Sequence, residues 1–475
     1  MSLSVTAGRR CFLKESVLGL GTVALASLMD RRGATAAPGG QVNRSRTVHE
    51  SHFVPRAKNV IFLFMAGGPS QLELFDNKPS LRKYAGRQVP HSVLGNQELP
   101  FIERDATLMP SPLRFSRYGE SGAELSEALP RLAEVVDEIA IVKSMHTDAF
   151  NHAPAQIFLH TGHLQLGKPS VGSWISYGLG SESSDLPAFV VLTTGQGVSG
   201  GASCYGNGFL PSVHQGVTLR PDGDPILFLG DPKGIDRSIQ RNTIDALGRL
   251  NRHRVDIVGD PEIETRIAAC EMAFRMQTSA PDLIDLTQES KTTLDLYGVT
   301  PGTPSFAGTC LLARRLVERG TRFVELMYKG WDHHSDVEGG VKKICGRTDQ
   351  AVAALIKDLR QRGLLDETLV VWGGEFGRTP MVEDNPALGR TRGRDHHPNA
   401  YTMWMAGGGI NPGQTIGKTD ELGYHVTEDP VHIHDLQATI LHLLGIEHTE
   451  LTFQHQGRDF RLTDVEGEVV EKLLG

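Results

Sequence analysis

What most constrains the fold of this chain is an order that recurs along it: a short continuous apolar run, a polar cluster at its end, then a stretch with helical spacing. Residues 59–65 (NVIFLFM) form the first run and stop at Gly67-Gly68-Pro69-Ser70. Continuous apolar runs of this length predict strands buried on both faces, and the Gly-Pro cluster predicts a turn. A helix predicted at 124–137 leads into a strand at 139–142, which delivers His146-Thr147-Asp148 and then Asn151-His152. A third run covers 188–192. A helix at 309–320 precedes a strand at 321–328, followed by Trp331-Asp332-His333-His334. A helix at 349–363 precedes a strand at 368–372, followed by Gly373-Gly374-Glu375. After Asp395-His396-His397 come a strand at 401–406 and a helix at 435–444. Alternating strands and helices predict an α/β fold, a mostly parallel central sheet with helices on both faces. Ligands of such sheets sit at the carboxyl ends of the strands, which is where the unusual polar residues fall.

Residues 195–300 break this rhythm. A glycine-rich stretch containing Tyr205-Gly206-Asn207-Gly208-Phe209 is followed by helices predicted near 235–250 and 260–278, the second started by Asp260-Pro261 as cap and first turn. The region reads as a helical insertion at the sheet edge.

The amino terminus reads as an address. Gly8-Arg9-Arg10-Cys11-Phe12-Leu13-Lys14 matches a twin-arginine export signal, followed by an apolar run at 16–29 and the cleavage-type Ala34-Thr35-Ala36. Fourteen apolar residues are too few for a span that needs about 20. The expected organisation is therefore a signal peptide at 1–36 and a mature chain at 37–475, placed in the periplasm or outside the cell, with the twin-arginine export machinery as a partner and no membrane span. With 48 Lys+Arg against 56 Asp+Glu the chain carries a net charge of −8, so it lacks the basic excess of a nucleic-acid binder. Cys204, Cys270, Cys310 and Cys345 are scattered singly, without the spacing of a zinc or redox motif, and Cys270 and Cys310 are expected on buried helix faces.

Two trios, Asp332-His333-His334 and Asp395-His396-His397, supply carboxylate and imidazole donors about sixty residues apart, with Glu375 between them. First-row divalent ions favour such mixed sets. A cation among Asp332, Glu375 and Asp395 would also relieve their repulsion. A tight loop can aim at most two of three consecutive side chains at one point, so one imidazole of each trio is expected to act behind the ligands or on substrate. Arg378, three residues after Glu375, is either a structural ion-pair partner of that residue or a binder of anionic substrate.

Several of these segments resemble a known superfamily. Residues 434–446 (HDLQATILHLLGI) are similar to a "D-L-x-P-T-L-L-x-L-x-G-I" segment of sulfatases and the wider alkaline phosphatase superfamily, and Leu159-His160-Thr161-Gly162-His163 to their "L-x-T-G-R". The leader, residues 64–76, 331–334, 372–380 and 393–398 together resemble the bacterial secreted domain-of-unknown-function family 1501, which is sulfatase-like. The resemblance implies an alkaline phosphatase-like fold. It also implies a site holding one or two divalent ions (zinc, calcium or manganese) through Asp332, His333 or His334, Glu375, and His396 or His397. The departures matter as much. Where sulfatases carry C-x-P-x-R, with the cysteine matured to formylglycine, this chain has His152-Ala153-Pro154-Ala155-Gln156. The acidic pair after the first strand is replaced by Gly67-Gly68-Pro69-Ser70, with Asp76 as the nearest substitute, and Phe376 stands where a metal-binding histidine is expected. A single ion is easier to build from what remains.

Two functions are compatible with this sequence. The first is an exported metal-dependent hydrolase of sulfate or phosphate esters, polysaccharide esters included, without the formylglycine nucleophile. A metal-activated water would attack while His152 or a free imidazole shuttles the proton, with nucleophilic attack by His152 or Ser70 as alternatives and Asn151 as donor to the developing charge. The second is a catalytically degenerate secreted binding protein that keeps the fold and a metal site.

Overall fold

The computed structural model describes residues 51–94, 106–194, 197–220 and 236–475. The twin-arginine leader lies outside them, as does part of the 195–300 region. The centre is a nine-stranded sheet. In chain order its strands are β1 (Asn59–Ala66), β2 (Ile139–His146), β3 (Phe189–Thr194), β4 (Val217–Leu219), β5 (Phe323–Lys329) and β6 (Thr368–Gly373). Two short strands off this sheet, β7 (Gly377–Arg378) and β8 (His396–His397), pair with each other. The sheet is completed by β9 (Tyr401–Ala406), β10 (Thr415–Ile416) and β11 (Val431–His432). Across the sheet the order is β10-β2-β9-β6-β1-β5-β3-β4, with β11 also against β2. Every pairing is parallel except those of β9, which runs antiparallel to both β2 and β6.

Both faces of this sheet are covered, as the continuous apolar runs require. Along β1, Ile61, Leu63 and Met65 join one core while Val60, Phe62, Phe64 and Ala66 join the other, the period-two alternation of a pleated strand. The helices that matter here are α1 (Gln71–Leu74), α2 (His152–Thr161), α3 (Val171–Leu179), α4 (Arg237–Val258), α5 (Pro261–Ile284), α6 (Phe306–Glu318), α7 (Val337–Gln361) and α8 (Ile433–Leu443). α6 and α7 supply Cys310, Leu311, Leu316, Val341, Leu355 and Leu359 to the first core; α2, α3 and α8 supply Phe158, Trp174, Ile175, Leu436 and Leu441 to the second.

Most predicted elements are present, with three instructive differences. The helix expected at 124–137 is absent: Ala123–Ser126 is a strand paired with Phe115–Tyr118, and only Leu132–Glu138 is helical, as a 3₁₀ turn. Pro130 disfavours helical backbone in the residue before it, which breaks the pattern. Helix α7 begins twelve residues earlier than expected, where Asp336 caps it by accepting the Gly339 N–H at 3.2 Å; Gly339-Gly340 hides those first turns from a propensity reading. In the 195–300 region, α4 and α5 pair through Arg241, whose guanidinium binds Glu271 at 2.6 and 2.8 Å. The same region also contributes the edge strand β4. Asp260 and Pro261 take the cap and first-turn positions of α5. The four cysteines are free, and Cys270 is exposed rather than buried.

Candidate metal centre

The parallel strands β6, β1 and β5 are neighbours, so the chain leaves all three at one rim. β1 ends at Gly67-Gly68, β5 delivers Asp332, and β6 delivers Glu375. The Gly67 N–H donates to both Glu375 carboxylate oxygens at 3.1 Å. Gly67 itself has a φ of +119°, and a Cβ there would lie 2.6 Å from the Asp332 amide nitrogen. Only glycine lets the first and fifth strands' loops approach this closely. The second trio reaches the rim differently from what its position suggested: Asp395-His396-His397 precedes β9 instead of following a parallel strand. Because β9 is antiparallel, its beginning meets the ends of the others.

Asp332 is the hub. His152 Nε2 lies 3.1 Å from its Oδ2; His334 Nε2 at 2.9 Å, His396 Nε2 at 3.4 Å and the Arg378 guanidinium at 2.5 Å surround its Oδ1. One donor atom from each of His152, Asp332, His334 and His396 falls within 4.8 Å of all the others. The two imidazole nitrogens His334 Nε2 and His396 Nε2 face each other at 3.0 Å. Burial alone would raise the Asp332 carboxyl, but hydrogen bonds from the three histidines and the Arg378 charge outweigh it and hold the group far below the usual range. Burial opposes the charge on His152 as well, yet bonds to Asp332 and Glu375 overcome it and push that imidazole up to about 9. Burial, helped by the Arg378 and His152 charges, outweighs the bond of His396 to Asp332 and pushes that imidazole down to about 4.

Behind two of the histidines stand buried carboxylates. His152 Nδ1 meets Glu375 Oε1 at 2.7 Å, and His334 Nδ1 bonds Glu383. Orienting a metal-facing imidazole through its other ring nitrogen is the usual second layer of a metal site. Glu375 is fully buried and also accepts from Gln156 Nε2 at 2.8 Å. It stands behind His152, outside the donor group. The expected repulsion among Asp332, Glu375 and Asp395 is resolved separately for each acid, by Arg378, by His152 and Gly67, and by the His396 N–H at 2.7 Å. Asp395, pushed up to about 6 by burial and the nearby Glu383 charge, joins His334 and Glu383 in a neighbouring group of possible donors.

Two buried arginines frame the site. Arg378 donates Nε to Gly68 O and Nη1 to Arg394 O, both at 2.9 Å, so it pairs with Asp332 and not with Glu375. Arg394 pairs with Glu73 at 2.7 Å, both fully buried.

The remaining expected residues are placed elsewhere. His397 points away: β7 and β8 pair Arg378 with His396 and Gly377 with His397, and consecutive strand residues face opposite sides. Its Nε2 meets Tyr424 O at 2.6 Å, and burial pushes it down to about 4. The His333 ring rests where a Gly340 Cβ would be, outside the donor group. Ser70 is buried and its hydroxyl donates to Glu73. Asp76 is held by Lys78 at 3.1 Å and by Thr419. Asn151 is exposed at the N-cap of α2 and its side chain makes no capping bond. Phe376 packs its ring 5.0 Å from His152 and 4.6 Å from His396, an apolar wall in place of a donor. Sequence reasoning missed Glu383, Glu73 and Arg394, which carry no spacing signal. Gln156 carried one, four residues after His152 on the same helical face.

Residues 57–474 match the model of a family described as Protein of unknown function (DUF1501). The chain belongs to this family. No curated protein matches it. Among solved structures, a sulfatase from Pseudoalteromonas sp. is similar at 11% identity, covering 82% of this chain and 68% of that one with a TM-score of 0.35. A phosphonate monoester hydrolase from Silicibacter pomeroyi is similar at 12% identity, covering 82% and 73%, TM-score 0.31. A protein in the alkaline phosphatase superfamily from Vibrio parahaemolyticus is similar at 10% identity, covering 84% and 70%, TM-score 0.34. Likeness at these TM-scores carries no weight for activity. The α/β class expected for this DUF1501 chain rests on its own strand order and two-faced sheet. Among the described residues no helix is long and apolar enough to cross a membrane.

Proposed function

We propose that this DUF1501 protein is an exported metal-dependent hydrolase of sulfate or phosphate esters, including esters carried on polysaccharide, and that it works without a formylglycine nucleophile. One observation carries the reading: Asp332, His334 and His396 converge beside His152, with His334 and His152 each backed by a buried carboxylate. The donor chemistry fits zinc or manganese, with calcium less suited to so many imidazoles. In this reading Asp332, His334 and His396 hold one divalent ion, with Glu383 behind His334. When bound, such an ion lowers the pKa of a coordinated water and polarises the ester oxygen.

The chain's own groups supply the rest. Arg378 orients Asp332 and adds positive charge beside an anionic ester. The amino-terminal end of α2, left uncapped by the Asn151 side chain, aims its positive dipole end at the same place. His152 is protonated between Asp332 and Glu375. As water adds to sulfur or phosphorus and the ester bond breaks, His152 gives its Nε2 proton to the leaving oxygen, and the proton lost by the water restores it. Asn151 is near enough in sequence to donate to the charge developing on oxygen.

A second reading, a secreted binding protein that holds a metal without turnover, is favoured by one specific feature. The Ser70 hydroxyl, the serine expected as an alternative nucleophile, is buried and committed to Glu73. Export and the leader at 1–36 belong to the same proposal. The test is elemental analysis of the purified mature chain alongside turnover of 4-nitrophenyl sulfate and 4-nitrophenyl phosphate, for wild type and Asp332→Asn. The hydrolase reading expects bound metal with turnover in the wild type, and in the variant loss of turnover together with one equivalent of metal. Stoichiometric metal with no turnover of either ester establishes the binding reading, and a metal content left unchanged by Asp332→Asn removes the proposed centre.

A further inference from the structure

A second group of donors lies at the sheet edge and shares no residue with the centre above. β11 runs parallel to the end of β2, with Val431 opposite Met145 and His432 opposite His146. His432 then caps α8, and His434 sits in its first turn. One donor atom from each of His432, His434 and Glu466 lies within 4.8 Å of the other two.

The hydrogen bonds around the group decide where its lone pairs point. His434 is only 6% exposed, and its Nε2 lies 2.8 Å from Gly162 O. A carbonyl only accepts, so Nε2 carries the proton and Nδ1 of the neutral ring presents a lone pair. That Nδ1 is buried, has no hydrogen-bond partner, and lies 3.7 Å from Glu466 Oε2. Two acceptors facing each other call for a positive species between them, either a proton or a metal ion. His432 differs: its Nδ1 accepts the His434 N–H in a long bond of 3.4 Å, which an ion at that lone pair would replace, and its Nε2 lies 3.5 Å from Asp148 Oδ2. A carbonyl or carboxylate behind each imidazole is the support a metal-ligating histidine takes.

The Glu466 segment is also held in place. Asp435, in the first turn of α8, accepts the His432 N–H and the Glu468 N–H, each at 2.8 Å. The positive end of α8 opposes a cation here, but Asp148, Asp435 and Glu466 put three carboxylates around it.

We propose that His432, His434 and Glu466 form a separate divalent-cation site of zinc type, with the remaining coordination positions open to water. It ties the segment around Glu466 to α8 and to the end of β2. This site is independent of the proposed hydrolase centre, and a test can separate the two. The full mature chain is stripped with chelator and titrated with Zn²⁺ alone, with stoichiometry from elemental analysis and affinity from calorimetry. Wild type, Asp332→Asn, Glu466→Gln and His434→Gln are compared.

Asp332→Asn is expected to keep this ion. Glu466→Gln and His434→Gln are expected to weaken it by at least about tenfold, the size of effect seen even for groups behind a ligand. Zinc should also raise the Tm of Asp332→Asn, and should no longer do so once Glu466→Gln is added. Glu466 is 65% exposed at its side chain, so its variant folds even where the buried His434→Gln does not. An unchanged zinc stoichiometry and affinity in Glu466→Gln means that the group is a protonated histidine–carboxylate pair, and the proposal is overturned.

Discussion

His152 sits between two carboxylates, one open to solvent and one buried, and that asymmetry sets its role. Asp332 has 40% of its side chain exposed, Glu375 none. The buried partner holds the ring in place while the open one faces the donors. If His152 moves a proton and Asp332, His334 and His396 hold the ion, His152→Gln should lower kcat by about 10²- to 10⁴-fold with zinc content unchanged by elemental analysis. A variant that loses the metal together with the activity would make His152 a ligand instead. At this scale the sequence told only part of the story. The residue types of both trios and of Glu375 were readable, but which imidazole faces the centre was not, because a single side-chain direction depends on backbone geometry several residues away.

The pairing of β7 with β8 is the element that sorts the second trio. It puts His396 at the rim and turns His397 toward Tyr424 O, so neighbouring histidines should respond oppositely to replacement. His396→Ala should lower the metal content by one equivalent with little change in the thermal transition of the metal-free chain. His397→Ala should keep the metal but remove the buried hydrogen bond from His397 Nε2 to Tyr424 O, at a cost of about 1 kcal/mol in urea unfolding. Equal effects on metal from both variants would contradict the alternation of that two-residue ladder. Likewise the carboxylates behind the ligands come from separate elements, Glu375 after β6 and Glu383 beyond β7. Nothing in the spacing of Glu383 from His334 announces their contact, since only the crossing of two loops at the rim brings them together.

At the scale of the whole molecule, stability against acid depends on histidines that folding keeps neutral. His214, bonded through Nδ1 to Ser176 Oγ at 3.0 Å, is pushed down to about 4 by burial from an ordinary value of 6.5. Below pH 6.5 the unfolded chain takes up this proton before the folded one does, so the contribution of His214 to stability falls as pH drops from about 6.5 to about 4 and is constant above that window. His397, lowered to about 4, acts in the same direction. Thermal melts in the presence of chelator should therefore show Tm declining across this range, and His214→Gln should flatten the decline. A variant whose Tm falls as steeply as wild type would remove His214 from this account. Fold class was legible because burying a strand on both faces demands a run such as 59–65, and alternation with amphipathic helices leaves a parallel sheet as the main outlet. The rim was legible too, since parallel strands end on one side and their polar followers gather there. The sequence could not tell that β9 runs backwards, that Arg378 serves Asp332 and not its near neighbour Glu375, or that Ser70 is spent on Glu73. Apolar periodicity is a local property and survives in the linear order, whereas strand direction, ion-pair choice and the facing of lone pairs are settled by contacts between residues hundreds of positions apart, which exist only once the chain has closed on itself.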